Sequence, residues 1–162
     1  MDSDIDQQSP LIYLAAPFTG RSQKVMQRRH DQTEEFHRHL THRGLVVYNP
    51  LNALKHIPMP SDHRYNHGLA VLRHSDLVIL LALDGYKESH GVKLEVDLAM
   101  KLGIEVFVVG PDQDLNPAFV NEIKRVANQR LEQKNGAWFH YQRKQSSPIY
   151  DYDPPDPPME AD

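Results

Sequence analysis

The sequence predicts an α/β fold, a parallel sheet of about five strands covered by helices on both faces. Three observations predict it. Short apolar runs alternate along the chain with stretches whose apolar residues recur every three or four positions. The run Leu77–Ala82 is apolar throughout, the pattern of a strand buried on both faces. Gly44 and Gly103 close two of the helical stretches just before the next apolar run begins. Right-handed crossovers between parallel strands then place helices on either side of the sheet, giving three layers.

The elements follow in order. Residues 1–10 read as a disordered leader ending at Pro10. Leu11–Ala16 is a short β-rich strand, and Pro17-Phe-Thr-Gly-Arg21 closes it with a turn. Ser22 can cap a helix from about Lys24 to His42, with Val25, the Arg29 stem, Thr33, Phe36 and Leu40 on one face. Leu45–Tyr48 is the second strand, ended by Asn49-Pro50 and a proline-bearing loop through Pro58 and Pro60. A helix follows, starting at Asp62 or Asn66 and reaching about His74, with Leu69 and Leu72 inward. Leu77–Ala82 is the third strand.

After the polar loop Asp84–Ser89 comes a helix with Val92, Val96, Ala99 and Met100 assigned to one face. Ile104–Val109 is the fourth strand, broken by Gly110-Pro111. A helix spans roughly Pro117–Glu132, with Phe119, Ile123, Val126 and Leu131 as its apolar positions. Gly136-Ala-Trp-Phe-His-Tyr141 reads as a fifth, edge strand. One domain is therefore expected over residues 11–141. Residues 142–162 read as an acidic, proline-rich tail that is not expected to fold.

The totals bound the function. A chain of 162 residues suits one domain with a real core. Apolar residues make up 40%, a low share explained by the two polar ends. No run approaches the roughly 18–20 apolar residues of a membrane span, and the acidic N-terminus is the reverse of a secretory signal. Without cysteine there is neither a disulfide framework nor a thiolate metal site. A cytoplasmic protein is expected. A net charge of −4 and the lack of a basic stripe argue against a nucleic-acid partner, and no membrane partner is expected.

Ligands of such sheets sit at the carboxyl ends of the strands, where strand order reverses. A flavodoxin-like order puts that point between the first and third strands, lined by Tyr13–Arg21 and Asp84–Glu95. Ala15-Ala-Pro-Phe-Thr-Gly-Arg21 is neither a GxGxxG fingerprint nor a P-loop. Small residues followed by Thr19, Gly20 and Arg21 can still receive a single phosphate through hydroxyl, amide and guanidinium donors; an ordinary turn is the plainer alternative. Glu95 falls near the start of its helix, where a carboxylate also simply complements the dipole. Asp84 suits base or sugar recognition, or a plain turn acid. Among ten histidines, His37, His39 and His42 point around a helix, and His63 and His67 share a face without a carboxylate partner. No metal or other cofactor is expected.

Four pieces of sequence carry a resemblance. Ile12-Tyr-Leu-Ala-Ala-Pro-Phe18, Val47-Tyr-Asn-Pro50, His74-Ser-Asp-Leu-Val-Ile79 and Ser89-x-Gly-Val-x-x-Glu95-x-x-x-Ala99 with Gly103 resemble the nucleoside 2-deoxyribosyltransferase-like superfamily. The likeness spans roughly residues 11–110 and is nearest to its small bacterial and phage branch. It is similar to the 2′-deoxynucleoside 5′-phosphate N-hydrolases. The resemblance implies a Rossmann-like, flavodoxin-like fold and cleavage of the N-glycosidic bond of a (deoxy)nucleoside or its 5′-monophosphate.

In that superfamily a glutamate at the place of Glu95 attacks the anomeric carbon, by the logic of a retaining glycosidase. A tyrosine at the place of Tyr13 orients it; a core aromatic is the alternative for Tyr13. The loop Ala16, Pro17, Phe18, Thr19, Gly20 and Arg21, together with Asp84, Ser89 and Gly91, is implied to bind substrate. Transferases commonly carry aspartate six places before the nucleophile, whereas the N-hydrolases carry serine on the 5′-phosphate. Ser89 matches the latter, and as a serine before a helix it also suits a cap.

At Gly68 relatives usually carry an aspartate. His67 beside it is then the expected proton donor. The same departure fits a catalytically weak, ligand-sensing protein that reports through its tail. Relatives are usually dimers or larger, so a homo-oligomer is expected, with the apolar face around Leu69 suited to such a contact.

Overall fold

The computed structural model describes residues 8–144. Four parallel strands form the sheet: β1 (Leu11–Ala15), β2 (Val46–Tyr48), β3 (Leu77–Leu81) and β4 (Val106–Val109). Their order is β2-β1-β3-β4. The register places Tyr13 beside Tyr48 on one side and Val78 on the other. The three-layer, flavodoxin-like arrangement is thus present with four strands instead of five.

The helices are α1 (Gln23–His42), α2 (Pro50–Ala53), α3 (Ser61–Leu72), α4 (His90–Lys101) and α5 (Pro117–Lys144). Strand residues alternate between two apolar layers. Ile12, Leu14, Leu77, Ile79 and Leu81 pack with Phe36 and Leu40 of α1 and Val120, Ile123 and Ala127 of α5. Tyr13, Ala15, Val78 and Leu80 pack with Leu72 of α3 and Val92 and Ala99 of α4. Because β1 and β3 are covered on both faces, their side chains are buried almost throughout.

Local chemistry sets the boundaries. The Ser22 hydroxyl accepts from the Val25 amide and caps α1. Asn49 caps α2 through the Leu51 amide, with Pro50 in the first helical position. Ser89 accepts from the Val92 amide at 3.4 Å and caps α4. Gly103 takes a φ of +64° directly after α4, a conformation that lets the chain turn straight into the next strand.

Two expectations are corrected. Residues 136–141 are helical, within α5, and do not form an edge strand. Three aromatics suggested β structure, but no proline interrupts the chain from 118 to 147 and one glycine is tolerated inside a long helix. Lys134 also fastens this half of α5 to the sheet: its ammonium lies 2.5 Å from Asp76 Oδ1 and donates to the His74 carbonyl. Met100 is 71% exposed, because the buried stripe of α4 runs through Val92, Val96 and Ala99 and leaves it to one side. Leu69 is half-buried and forms part of a cavity wall.

The helix α5 also takes in residues 142–144, the first three of the expected tail. Residues 1–7 of the expected leader and 145–162 of that tail lie outside the described residues. Among the described residues, no helix is long and apolar enough to cross a membrane.

Candidate functional site

Because β1 and β3 are neighbours and the chain leaves them in different directions, their carboxyl ends open a crevice. A cavity of about 550 Å³ fills it, within the range of small-molecule sites. Its floor is Tyr13 and Glu95; the loop after β1 contributes Ala16, Phe18 and Thr19, and the start of α4 contributes Ser89 and Gly91. Gln23, Met26, Gln27 and His30 of α1 form one wall. The opposite wall is Leu51, Leu54, Lys55 and, from α3, Arg64, Tyr65, Gly68 and Leu69.

At the floor, the Tyr13 hydroxyl donates to Glu95 Oε1 at 2.7 Å. Tyr13 is 1% exposed, held in the sheet with its ring tilted against Tyr48 at 5.7 Å. Burial raises the Tyr13 phenol far above its ordinary value, and the nearby Glu95 charge raises it further. The phenol therefore remains a donor at any working pH. Burial also lifts the Glu95 carboxyl to about 7, opposed by the hydrogen bond from Tyr13. Glu95 is the sixth residue of α4, in its second turn, where the helix dipole has largely faded. Dipole complementation therefore does not account for an acid pointed at a cavity.

Two glycines shape the walls. A Cβ on Gly68 would lie 2.8 Å from the Tyr13 hydroxyl, so a side chain there would press on the group that holds Glu95. A Cβ on Gly91 would lie 3.0 Å from the Tyr65 ring, so Gly91 lets α3 approach the start of α4. Glycine at 68 therefore has a local reason.

Arg29 joins the two loops that meet at the switch point. Its stem is buried with α1, and its guanidinium donates to the carbonyls of Thr19 and Asp84, the latter at 2.6 Å. Thr19 belongs to the loop after β1 and Asp84 to the loop after β3. The clamp closes around Gly85, whose φ of +77° turns the second loop towards it.

Of the residues singled out from the sequence, Tyr13, Ala16, Phe18, Thr19, Ser89, Gly91 and Glu95 meet at the cavity. Pro17 is buried beneath it, and Gly20 packs on Val25, where a Cβ would come within 2.7 Å. Arg21 is exposed and off the wall. Asp84 has its carboxylate in solvent, 3.8 Å from Arg28, and contributes its carbonyl to Arg29 instead. His67 is exposed and also off the wall: its Nδ1 pairs with the Tyr48 hydroxyl at 3.0 Å. It is therefore not placed to act as the proton donor.

The polar groups that the sequence did not single out are Gln23, Gln27, His30, Lys55, Ser61, Arg64 and Tyr65. Arg64 donates to the carbonyls of Leu54 and Ile57, which ties the loop before α3 to that helix. Among the described residues, no three His, Asp or Glu side chains gather as a metal site. The cavity thus combines a carboxyl held near neutrality, a fixed phenol, a helix N-terminus and two cations, a set suited to a polar, anionic small molecule.

The sequence profile of a family described as "Domain of unknown function (DUF4406)" matches residues 10–108, from the start of β1 into β4. No curated protein matches the chain.

Proposed function

The chain belongs to the DUF4406 family, whose description names no reaction, and from the site itself we propose an N-glycosidase acting on (deoxy)nucleoside 5′-monophosphates. The observation that carries the proposal is the Tyr13–Glu95 pair at the floor of a cavity of about 550 Å³. A carboxylate steadied by a buried phenol is a fit nucleophile for an anomeric carbon, as in retaining glycosidases.

In the reaction, one Glu95 oxygen bonds to C1′ as the C1′–N bond breaks, and the bonding pair leaves with the base. The developing oxocarbenium charge faces the carboxylate, and the resulting ester holds the sugar. Water then attacks C1′, its proton passes to a base, and Glu95 leaves as carboxylate. Tyr13 holds the reacting carboxyl in place throughout. The 5′-phosphate is assigned to Ser89 and the free amides at the start of α4, with Thr19 across the crevice. Nucleoside monophosphates are cytoplasmic metabolites, and the protein is taken to act there.

The test is incubation with a panel of (deoxy)nucleosides and their 5′-monophosphates, with free base followed by chromatography. Base release is expected from monophosphates and is expected to vanish in Glu95→Gln. Full-rate release by that variant would remove the assigned nucleophile. Exchange of bases between nucleosides would make the protein a deoxyribosyltransferase instead.

Gly68 favours a second reading. With no acid against Tyr13, the cavity could hold a nucleotide without breaking it, as a sensing module would. Calorimetric binding without release would support that reading, and steady turnover would end it.

A further inference from the structure

Charge is unevenly placed around the cavity. The seat assigned above to the 5′-phosphate consists of Ser89, Thr19 and helix amides, all neutral donors. The arginines near it are engaged elsewhere. Arg29 holds the carbonyls of Thr19 and Asp84, Arg28 faces the Asp84 carboxylate at 3.8 Å, and Arg21 is off the wall. The cations that do line the cavity, Lys55 and Arg64, stand on the opposite wall, with the Ser61 hydroxyl for company. Neither forms an ion pair among the described residues. Asp62, the acid in the first turn of α3, is off the wall.

Lys55 is exposed, yet the turn that carries it is braced. Leu54 beside it is 5% exposed and lines the same cavity. The Ile57 amide donates to the Leu54 carbonyl at 3.2 Å and closes the turn. Arg64 donates to the carbonyls of Leu54 and Ile57 at 3.2 and 3.1 Å, so its fork grips the turn on both sides of Lys55. Leu51, Leu54 and Leu69 make the surface around these cations largely apolar. A charge-assisted bond gains strength where such surface keeps water away.

We propose that Lys55, positioned by Arg64, receives a second phosphate of the nucleotide, an assignment that rests on the N-glycosidase reading above. A lysine ammonium suits a phosphate as a point charge with three donors. Two sources present the same dianion: the outer phosphate of a 5′-diphosphate, and a 3′-phosphate on the same sugar. Nucleotides with two phosphates are then the preferred substrates and monophosphates the lesser ones. No bond to this second phosphate forms or breaks; it holds the ligand while C1′ reacts.

The test uses the full chain and the deoxynucleoside whose monophosphate the substrate panel cleaves fastest. Calorimetry on Glu95→Gln, which blocks turnover, compares its 5′-monophosphate, 5′-diphosphate and 3′,5′-bisphosphate. One of the doubly phosphorylated forms is expected to bind about 10–100-fold more tightly than the monophosphate, and which one it is identifies the source. Adding Lys55→Met is expected to erase most of that preference. Arg64→Lys keeps the charge but lacks the fork, and should erase most of it too.

Equal affinity for all three forms would overturn the inference and leave the glycosidase reading standing. An equal fold loss for all three on adding Lys55→Met would do the same, because it would give Lys55 to the 5′-phosphate. Full preference in the Arg64→Lys protein would overturn the positioning role. A panel that releases no base would bring down both readings.

Discussion

Tyr13 of β1 and Glu95 of α4 are joined across 2.7 Å, and the bond works against the burial of the carboxyl. Burial alone would lift Glu95 further. In Tyr13→Phe the opposing hydrogen bond is gone, and a bond to a charged group is worth about 1.5–3 kcal/mol. The acid limb of kcat/KM, expected near pH 7 in the parent, should move up by about one to two pH units. Activity should then recover in part at alkaline pH. A pH profile of base release checks it.

The same carboxyl links stability to pH. Its folded value, about 7, stands above its ordinary value of 4.5, so between them the folded protein holds a proton that the unfolded chain has released. Stability should therefore fall as pH rises through that window, by at most about 3 kcal/mol and less where cavity water reaches the group. Glu95→Gln should lack this fall and exceed the parent in stability at pH 8. Urea unfolding of both proteins from pH 4 to 8 decides the point.

Gly68 should resist substitution for a reason outside its own helix. Alanine would gain roughly 0.5–1 kcal/mol in helix propensity, yet its Cβ would press on a fixed phenol at 2.8 Å. Gly68→Ala should be destabilising and should weaken base release. Paired with Tyr13→Phe, which removes the obstructing oxygen, it should recover much of its lost stability. A double-mutant cycle by thermal unfolding reads the coupling.

Arg29→Met should leave the Thr19 and Asp84 carbonyls without their shared donor and cost about 2–4 kcal/mol. Arg29→Lys should restore little, because an ammonium lacks the fork that spans two loops. Hydrogen exchange at the amides of Thr19 and Gly85 should quicken in both variants, and nucleotide affinity should drop.

Much of this was legible in local pattern. Continuous apolar runs mark β1 and β3, and with them the switch point; the register of Tyr13, Ser89, Gly91 and Glu95 follows from that placement. Signals that depend on a side chain's far end were less legible. Arg29 reads as an amphipathic stem, and nothing in its spacing says that its head reaches two carbonyls. His30 hides among the polar residues of α1. Even so, Gln23, Met26, Gln27 and His30 recur at helical spacing, a second face that turns to the crevice. The helical residues 136–141 were misread because aromatic content outweighed the continuity of the helix before them.

The contacts of α5 give the molecule two poles. Arg130 donates to the carbonyls of Leu102 and Gly103, and Lys134 to that of His74, all on the approach to β3 and β4. The crevice lies at the far pole, where those strands end. The half of α5 around Lys134 therefore lies on the side away from the opening. A fluorophore attached at exposed Gln133 should leave ligand entry unobstructed.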